Sequence, residues 1–537
     1  MRKPQRAFPQ HRAATFIRHA VADFLAVALR RIGFLVSVLV GGLVIAGCAA
    51  NAPPFTVAAD VPPQWYAPLP PASASADASK PALSASSSLP HNGSLTSLSQ
   101  WWQQQHDPLL VELIDAAQIV SPSVITARAN IAQAQATRAA SEALLQPTLD
   151  ASASLSRNLS APINRAVPPI SNLGQLGLQT SWELDLFGKN RASVEADKQR
   201  LLGTQALWHD ARVSVAAEVA NRYYSLRACA KLLQVAQADA GSRAESARLI
   251  ALVTQAGFEA PATAALARAS AAEGRARVTQ QGALCEVDVK ALVALSALEE
   301  PSLRQKLAQT ADDAPQQGFT DISSVPAEVL GQRPDVFSAA HELTGASFEV
   351  SSARAQRYPR LSIGGAIAGN RVRSRTLNQD FNTWSIGPVA LSVPLFDGGA
   401  SRAHLEAAKA RYEEAAGKYR STVRQAVREV EEALVNLQSS ADRGTDTAVA
   451  EAGYRASFSG TQARHTAGLA SLVELEESRR TLLSAQSAVI NLERERRSAW
   501  VALYRAMGGG WTSAAAPAPP AGPVAFDMPA PAAPRAP

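Results

Sequence analysis

Two stretches, Asn190 to Thr254 and Ala400 to Thr466, run for 65 and 67 residues without a proline and are rich in Ala, Leu, Gln, Arg and Glu. Proline inside a helix removes a hydrogen bond and clashes with the preceding turn, so its absence over such lengths keeps an unbroken helix open. At 1.5 Å per residue each stretch would reach roughly 100 Å as a helix. Globular helices average about 12 residues, so these stretches point to coiled-coil or tube helices. Their apolar positions are mostly Ala with some Leu and Val, which permits close packing at shallow crossing angles. The alternative is a bundle of shorter helices broken at Gly241 and Gly417. Each stretch turns back at a short glycine-containing segment, Gln255 to Pro261 and Arg464 to Ser471, and Pro261 is suited to open a new helix. The return helices are expected to run to about Leu298 and Met507.

The two hairpins belong to an internal duplication. Gln146-Pro147-Thr148-Leu149 pairs with Tyr358-Pro359-Arg360-Leu361, Leu186-Phe187 with Leu395-Phe396, and Gln255-Ala256-Gly257 with Thr466-Ala467-Gly468, at offsets of 212, 209 and 211 residues. Three markers holding nearly one offset make chance similarity a poor explanation. Each half reads as helix, two strands, then a long helical hairpin. The expected boundaries are 99–310 for the first repeat, with its hairpin at 190–298, and 311–511 for the second, with its hairpin at 400–507.

The strands alternate. Leu176, Leu178, Thr180, Trp182, Leu184 and Leu186 fall on one face, with Gly177, Gln179, Ser181, Glu183 and Asp185 on the other. Leu149, Ala151, Ala153 and Leu155 against Asp150, Ser152, Ser154 and Ser156 repeat the pattern. A period of two, apolar on one side and small-polar on the other, suits a lipid-facing barrel strand with a wet lumen. A half-buried sandwich strand would show the same alternation. Four strands cannot close a transmembrane barrel, whose smallest members have about eight, so closure needs several chains.

The chain ends differ in character from this body. Arg2, Lys3, Arg6, Arg12, Arg18, Arg30 and Arg31 precede an uncharged run from Ile32 to Ala46 and then Gly47-Cys48. A basic region followed by about 15 apolar residues matches a secretory signal and falls short of the roughly 20 needed to span a bilayer. Ile45-Ala46-Gly47-Cys48 resembles a lipobox, which makes 1–47 a signal peptide and Cys48 the lipidated residue. Ala49, rather than Asp, resembles the residue that follows the cysteine in lipoproteins sorted onward to the outer membrane. The Pro/Ser/Ala-rich stretch 48–98 reads as an extended, poorly ordered lipid tether, and 512–537 as a disordered Pro/Ala tail. Two cysteines remain. Cys229 lies 28 residues before Gly257 and Cys285 lies 28 after it, at the same height in an antiparallel hairpin. Given suitable Cβ directions they could form a disulfide in an oxidising periplasm.

The motifs now on the page resemble those of the TolC-like outer-membrane factors, specifically the NodT/OprM-type outer-membrane lipoproteins of resistance-nodulation-division efflux systems. The resemblance covers Trp101 to Trp511. Trp101-Trp102, Asp107-Pro108-Leu109, Trp182 to Gly188, Gly331-Gln332-Arg333-Pro334-Asp335, Trp384 to Pro388, Pro394 to Gly399 and Gly508-Gly509-Gly510-Trp511 carry it by their order and spacing. It implies a mostly α chain with a β-barrel part, acting as a homotrimer with a shared transmembrane β-barrel and a long periplasmic α-helical barrel. The implied function is the exit duct of a tripartite pump that passes small molecules such as drugs or toxic organics. The implied partners are a periplasmic adaptor, an inner-membrane resistance-nodulation-division transporter and outer-membrane lipid, with no cofactor.

By the same resemblance Gly257, Phe258, Arg464, Thr466, Gly468, Leu469 and Ser471 are adaptor-docking tips, although glycine's conformational freedom alone would also place such residues at turns. The family's acidic gate positions fall on Glu474 and Glu477. They are three apart and share one helix face, and in a trimer each would form a ring of three carboxylates. The chain departs from the family in having Glu for Asp and an added Glu476 beside Arg479 and Arg480. The competing reading is a solvated helix face carrying an (i, i+3) Glu476–Arg479 pair.

Other classes fare worse. The eight histidines are dispersed, His341-Glu342 lacks the second histidine of a zinc-protease helix, and there is no G-x-S-x-G or phosphate-binding loop. An enzyme is therefore not expected. The net charge of +6 is spread along the chain without an aromatic-interleaved basic stripe, which argues against nucleic acid. A type I protein-secretion exit channel and a non-pore coiled-coil structural lipoprotein remain as alternatives.

Overall fold

The computed structural model describes residues 66–67, 101–104, 107–159, 170–309, 330, 333–374 and 378–511. The expected signal peptide, Cys48 and the 512–537 tail lie outside the described residues, as does nearly all of the 48–98 tether. In order the elements are α1 (Trp101–Gln104), α2 (Pro108–Val120), α3 (Pro122–Ala143), β1 (Thr148–Leu159), β2 (Ile170–Leu184), α4 (Lys189–Gln255), α5 (Pro261–Ser296), α6 (Glu300–Gln309), α7 (Pro334–Ala355), β3 (Arg360–Ser374), β4 (Asn378–Ser392), α8 (Ala400–Thr466) and α9 (Leu472–Ala506). Both long helices are continuous. They run through Gly241 and Gly417 without interruption, so the shorter-helix alternative fails. The helix expected before β1 is two helices, because Pro122 cannot continue α2 and instead opens α3. Among the described helices none is by itself long and apolar enough to cross a bilayer.

The chain forms two compact units. The first, built from 139–196 and 346–412, holds a four-stranded antiparallel sheet in the order β1-β2-β3-β4. Its register brings the apolar alternations together: Ala151 opposes Leu178, Leu178 opposes Ile367, and Ile367 opposes Trp384. One row lower, Ala153, Leu176 and Gly369 align in the same way. Among the described residues one face is thereby largely apolar and uncovered in the single chain, with Leu155 91%, Trp384 75% and Ile386 89% exposed. The band ends where Arg371 and Asp380 oppose each other and pair at 2.7 Å. The opposite face carries Asp150, Ser152, Ser154, Gln175, Gln179, Ser362 and Ser385. The one proline within these four strands, Pro388 of the edge strand β4, follows a cis peptide from Gly387 and sits at a register shift opposite Ile363 to Gly365, where a missing donor is tolerated. Beside the sheet, Val350 and Ala353 of α7 pack on Leu405 and Ala408 of α8, and Phe187 stacks on Tyr358 at 5.0 Å.

The second unit, 57–138, 197–345 and 413–537, contains the main core. Leu110 and Leu113 of α2, Val219 and Tyr223 of α4, Leu292 of α5, Leu434 of α8 and Leu503 of α9 are almost wholly buried together. Each such side chain contributes about 1.5–3 kcal/mol relative to exposure. Trp101 and Trp102 stand edge-on to Tyr504 at 5.0 and 4.9 Å. Asp107 accepts from the Leu110 amide as the α2 cap and also from the Tyr223 hydroxyl at 2.6 Å. Arg333, 5% exposed, donates to the Ala506 carbonyl and pairs with Asp335 and Glu429. These motifs are thus packing and capping devices. Within the expected tether, Tyr66 and Ala67 are held: their amides donate to the two carboxylate oxygens of Glu431 at 2.7 and 2.6 Å. At that point the chain is held against α8.

Candidate functional site at the hairpin tips

Both long helices end in the same backbone motif. At the first tip Gly257 takes φ +83 and donates to the Thr254 carbonyl, while the Phe258 amide reaches Val253. At the second Gly468 takes φ +76 and donates to His465, while the Leu469 amide reaches Arg464. This is the left-handed glycine termination that satisfies the last helical carbonyls, and it explains why glycine stands at matching places in the two repeats. A further clasp holds the second tip, where Arg464 donates to the Leu469 carbonyl at 3.1 Å and the Thr466 hydroxyl to Gln462 at 2.9 Å. Phe258 is 83% and Leu469 70% exposed.

Ser471 caps α9. Its hydroxyl accepts from the Glu474 amide at 3.2 Å, and the Glu474 carboxylate accepts from the Ser471 amide at 2.7 Å. That backbone donor holds the Glu474 carboxyl below the usual carboxylate range. Glu477, one turn on, pairs with Arg480 of its own helix at 2.8 Å. Both carboxylates are exposed in the single chain.

The neighbouring Glu476 is different. The (i, i+3) contact with Arg479 forms, but it is buried rather than solvated. Glu476 also accepts from Arg243 of α4 at 2.9 Å and from the Ser270 hydroxyl of α5 at 2.7 Å. Arg243 in turn binds Asp239 at 2.8 Å, and Arg479 donates to Ser242 at 2.8 Å. Burial lowers the Arg479 pKa, with Glu476 and then Asp239 opposing that shift. The solvated-face reading is corrected at this residue, since pair spacing alone does not reveal which helix face is packed. The pairs Asp239/Arg243 and Glu476/Arg479 are visible in the sequence; their convergence is not.

Further from the tips, Cys229 and Cys285 join α4 to α5 with Cα atoms 5.5 Å apart, inside the main core. The structure therefore brings Glu474, Glu477, Arg464, Thr466, Gly468, Leu469 and Ser471 to one tip and Gly257 and Phe258 to the other.

A duplicated chain of long helical hairpins joined to strands with one lipid-suited face defines a protomer of an outer-membrane channel. Residues 113–299 and 325–509 match the outer membrane efflux protein family, one match in each repeat, and the chain belongs to that family. It is 29% identical over 415 residues to the solvent efflux pump outer membrane protein SrpC of Pseudomonas putida, covering 76% of this chain and 86% of that one. Among solved structures it resembles the outer-membrane channel OprN, with a TM-score of 0.69, 25% identity and coverage of 86% and 100% of the two chains. It likewise resembles the outer membrane protein VceC of Vibrio cholerae, with a TM-score of 0.68, 26% identity and coverage of 77% and 99%.

Proposed function

We propose that three copies of this chain form the outer-membrane exit duct of a tripartite efflux pump, anchored by an acylated Cys48 and passing small toxic organic molecules. The observation that carries the reading is the uncovered, largely apolar face of β1 to β4, in a sheet that among the described residues has four strands and no partner for its edges β1 and β4. A free edge and a bare apolar face are stable only when a neighbour continues the sheet and lipid covers the face. Three copies supply twelve strands, enough to close a barrel. A wide lumen lined by Ser, Gln and Asp imposes little chemistry on its cargo, so selection falls to an inner-membrane resistance-nodulation-division transporter. The similarity to the solvent efflux pump outer membrane protein SrpC supports organic cargo. The Gly257–Phe258 and Arg464–Ser471 tips are the docking points for the periplasmic adaptor, and Glu474 and Glu477 form carboxylate rings at the gate. The test is single-channel conductance of the detergent-extracted protein in a planar bilayer, with chemical cross-linking for subunit number. Discrete conductance from a trimer supports the duct; a detergent-independent, non-conducting protein overturns it.

A further inference from the structure

Among the described residues the apolar face of the sheet carries charge at one end alone. Side chains two residues apart along a strand share a face, and the register extends that face across all four strands. On β3 it runs through Leu361, Ile363 and Ile367 and then meets Arg371 and Arg373. On β1 it passes Leu149 and Leu155 before reaching Arg157. Arg157 opposes Asn172, which opposes Arg373. Two arginines therefore stand in one row, two strands and roughly 10 Å apart. Arg371 lies in the next row, where Asp380 faces it. All three arginines are exposed, and Asp380 is the one carboxylate on this face among the described residues. It pairs with Arg371, which leaves Arg157 and Arg373 without a carboxylate of their own. At the other end of the same face Leu184, Leu361 and Leu391 align, and there β2 and β4 lead towards α4 and α8.

We propose that Arg157, Arg371 and Arg373 form a site for the phosphate of a glycolipid headgroup in the outer leaflet. Assignment to that leaflet rests on the duct reading, which puts the helices in the periplasm and this rim at the cell surface. Arg371 is ten residues beyond Leu361 on β3. At about 3.4 Å per residue and a tilt of about 40°, that spans about 26 Å of height, against an apolar band of about 25 Å in such barrels. The arginines thus reach the level of the headgroups. An arginine there is tolerated at little cost, which accounts for its presence but not for a cluster. Three cations against one anion within two rows repel one another unless a further anion joins them. Guanidinium forks match phosphate oxygens in pairs, and long side chains bend towards the headgroup layer. Asp380 holds Arg371 by two contacts, at 2.8 and 2.7 Å, and so presets one cation without cancelling the other two. Because Arg157 belongs to the first pair of strands and Arg371 and Arg373 to the second, the bound lipid would lie across the seam between the repeats.

The experiment uses the full-length protein extracted in an uncharged detergent. Bisphosphorylated lipid A and its dephosphorylated form are the probes, and bound lipid is titrated by native mass spectrometry. The wild type should retain the phosphorylated probe over the other, and Arg157→Gln/Arg373→Gln should weaken that retention roughly tenfold or more. Neither residue lies on the polar face, so the variant should conduct as wild type in a planar bilayer. Should it fail to assemble, Arg157→Lys/Arg373→Lys keeps the charges, loses the forks and should weaken retention several-fold. Equal retention of the two probes by the wild type, or undiminished retention by the variants, overturns the site. Displacement of the lipid by an equal concentration of inorganic phosphate would reveal a bare anion site and overturn the lipid assignment. A wild-type protein that conducts nothing fails the duct reading, while the lipid comparison still reads the rim.

Discussion

Ser471 and Glu474 hold each other's backbone at the start of α9, each side chain accepting from the other residue's amide. Glu474 therefore carries two separable roles, a cap and a charge. Gln at this position keeps the reciprocal bond and removes the charge. Glu474→Gln combined with Glu477→Gln should lower thermal stability only slightly at neutral pH and reduce cation preference in single-channel recordings. Ser471→Ala removes the cap instead, costs about 1 kcal/mol, and should loosen the tip without changing ion selectivity. Identical selectivity in wild type and the double Gln variant would remove the gate assignment.

The same contact sets a pH dependence. The carboxyl of Glu474 is depressed in the folded state by the Ser471 amide. Its contribution is present above the unfolded value of about 4.3 and is lost as pH falls through the lower folded value. Hydrogen exchange of the Arg464–Leu475 segment, corrected for intrinsic rate, should rise only in acid below about pH 4. In Glu474→Gln that step should be absent.

Cys229 and Cys285 close a loop with a sequence separation of 56 inside the core. Constraining a loop of that length contributes about 4 kcal/mol in the chain-entropy account. Cys229→Ala/Cys285→Ala should lower the unfolding temperature measured by circular dichroism in detergent. Reductant added to the native protein should have little effect until it unfolds, because both sulfurs are buried.

The two sheet faces should respond oppositely to the same change. Leu176→Arg lies on the apolar face and should cost about 2–4 kcal/mol at mid-bilayer, read as reduced yield of folded protein in outer membranes. Gln175→Arg, its neighbour on the other face, should assemble normally and alter conductance. Equal tolerance at both positions would contradict the barrel.

Arg333 of the Gly331 to Asp335 motif is buried. Arg333→Met removes the partner of Asp335 and Glu429 and the donor to the Ala506 carbonyl. Loss of a buried charge partner costs about 3–5 kcal/mol, so the variant should be recovered poorly and unfold at lower temperature.

What can be read from the sequence is what repeats locally. Sixty-odd residues without proline are enough to expect α4 and α8, and the Leu176–Leu178 alternation is enough to expect β2 and its apolar face. Glycines at matching offsets mark both tips because the helix termination itself demands a positive φ. Contacts between distant segments leave no such trace. Glu476 looks like half of a surface pair until α4 supplies Arg243, 233 residues away, and nothing near Tyr66 points to Glu431, 365 residues away. A pair spacing says which residues share a face, and only packing says whether that face meets water.

The bond between Glu431 and the Tyr66–Ala67 amides sets an upper limit on how far Cys48 can lie from α8. Tyr66 lies eighteen positions after Cys48, and at no more than about 3.6 Å each those steps reach roughly 65 Å. With Cys48 acylated, as proposed, the lipid can wander no further than that from α8. A pull on the lipid would be delivered to Glu431, in the middle of α8, and not to the first strand of the sheet. Lateral drag in the membrane would thus load the helices of the duct directly and leave the strand pairing of the barrel unstressed.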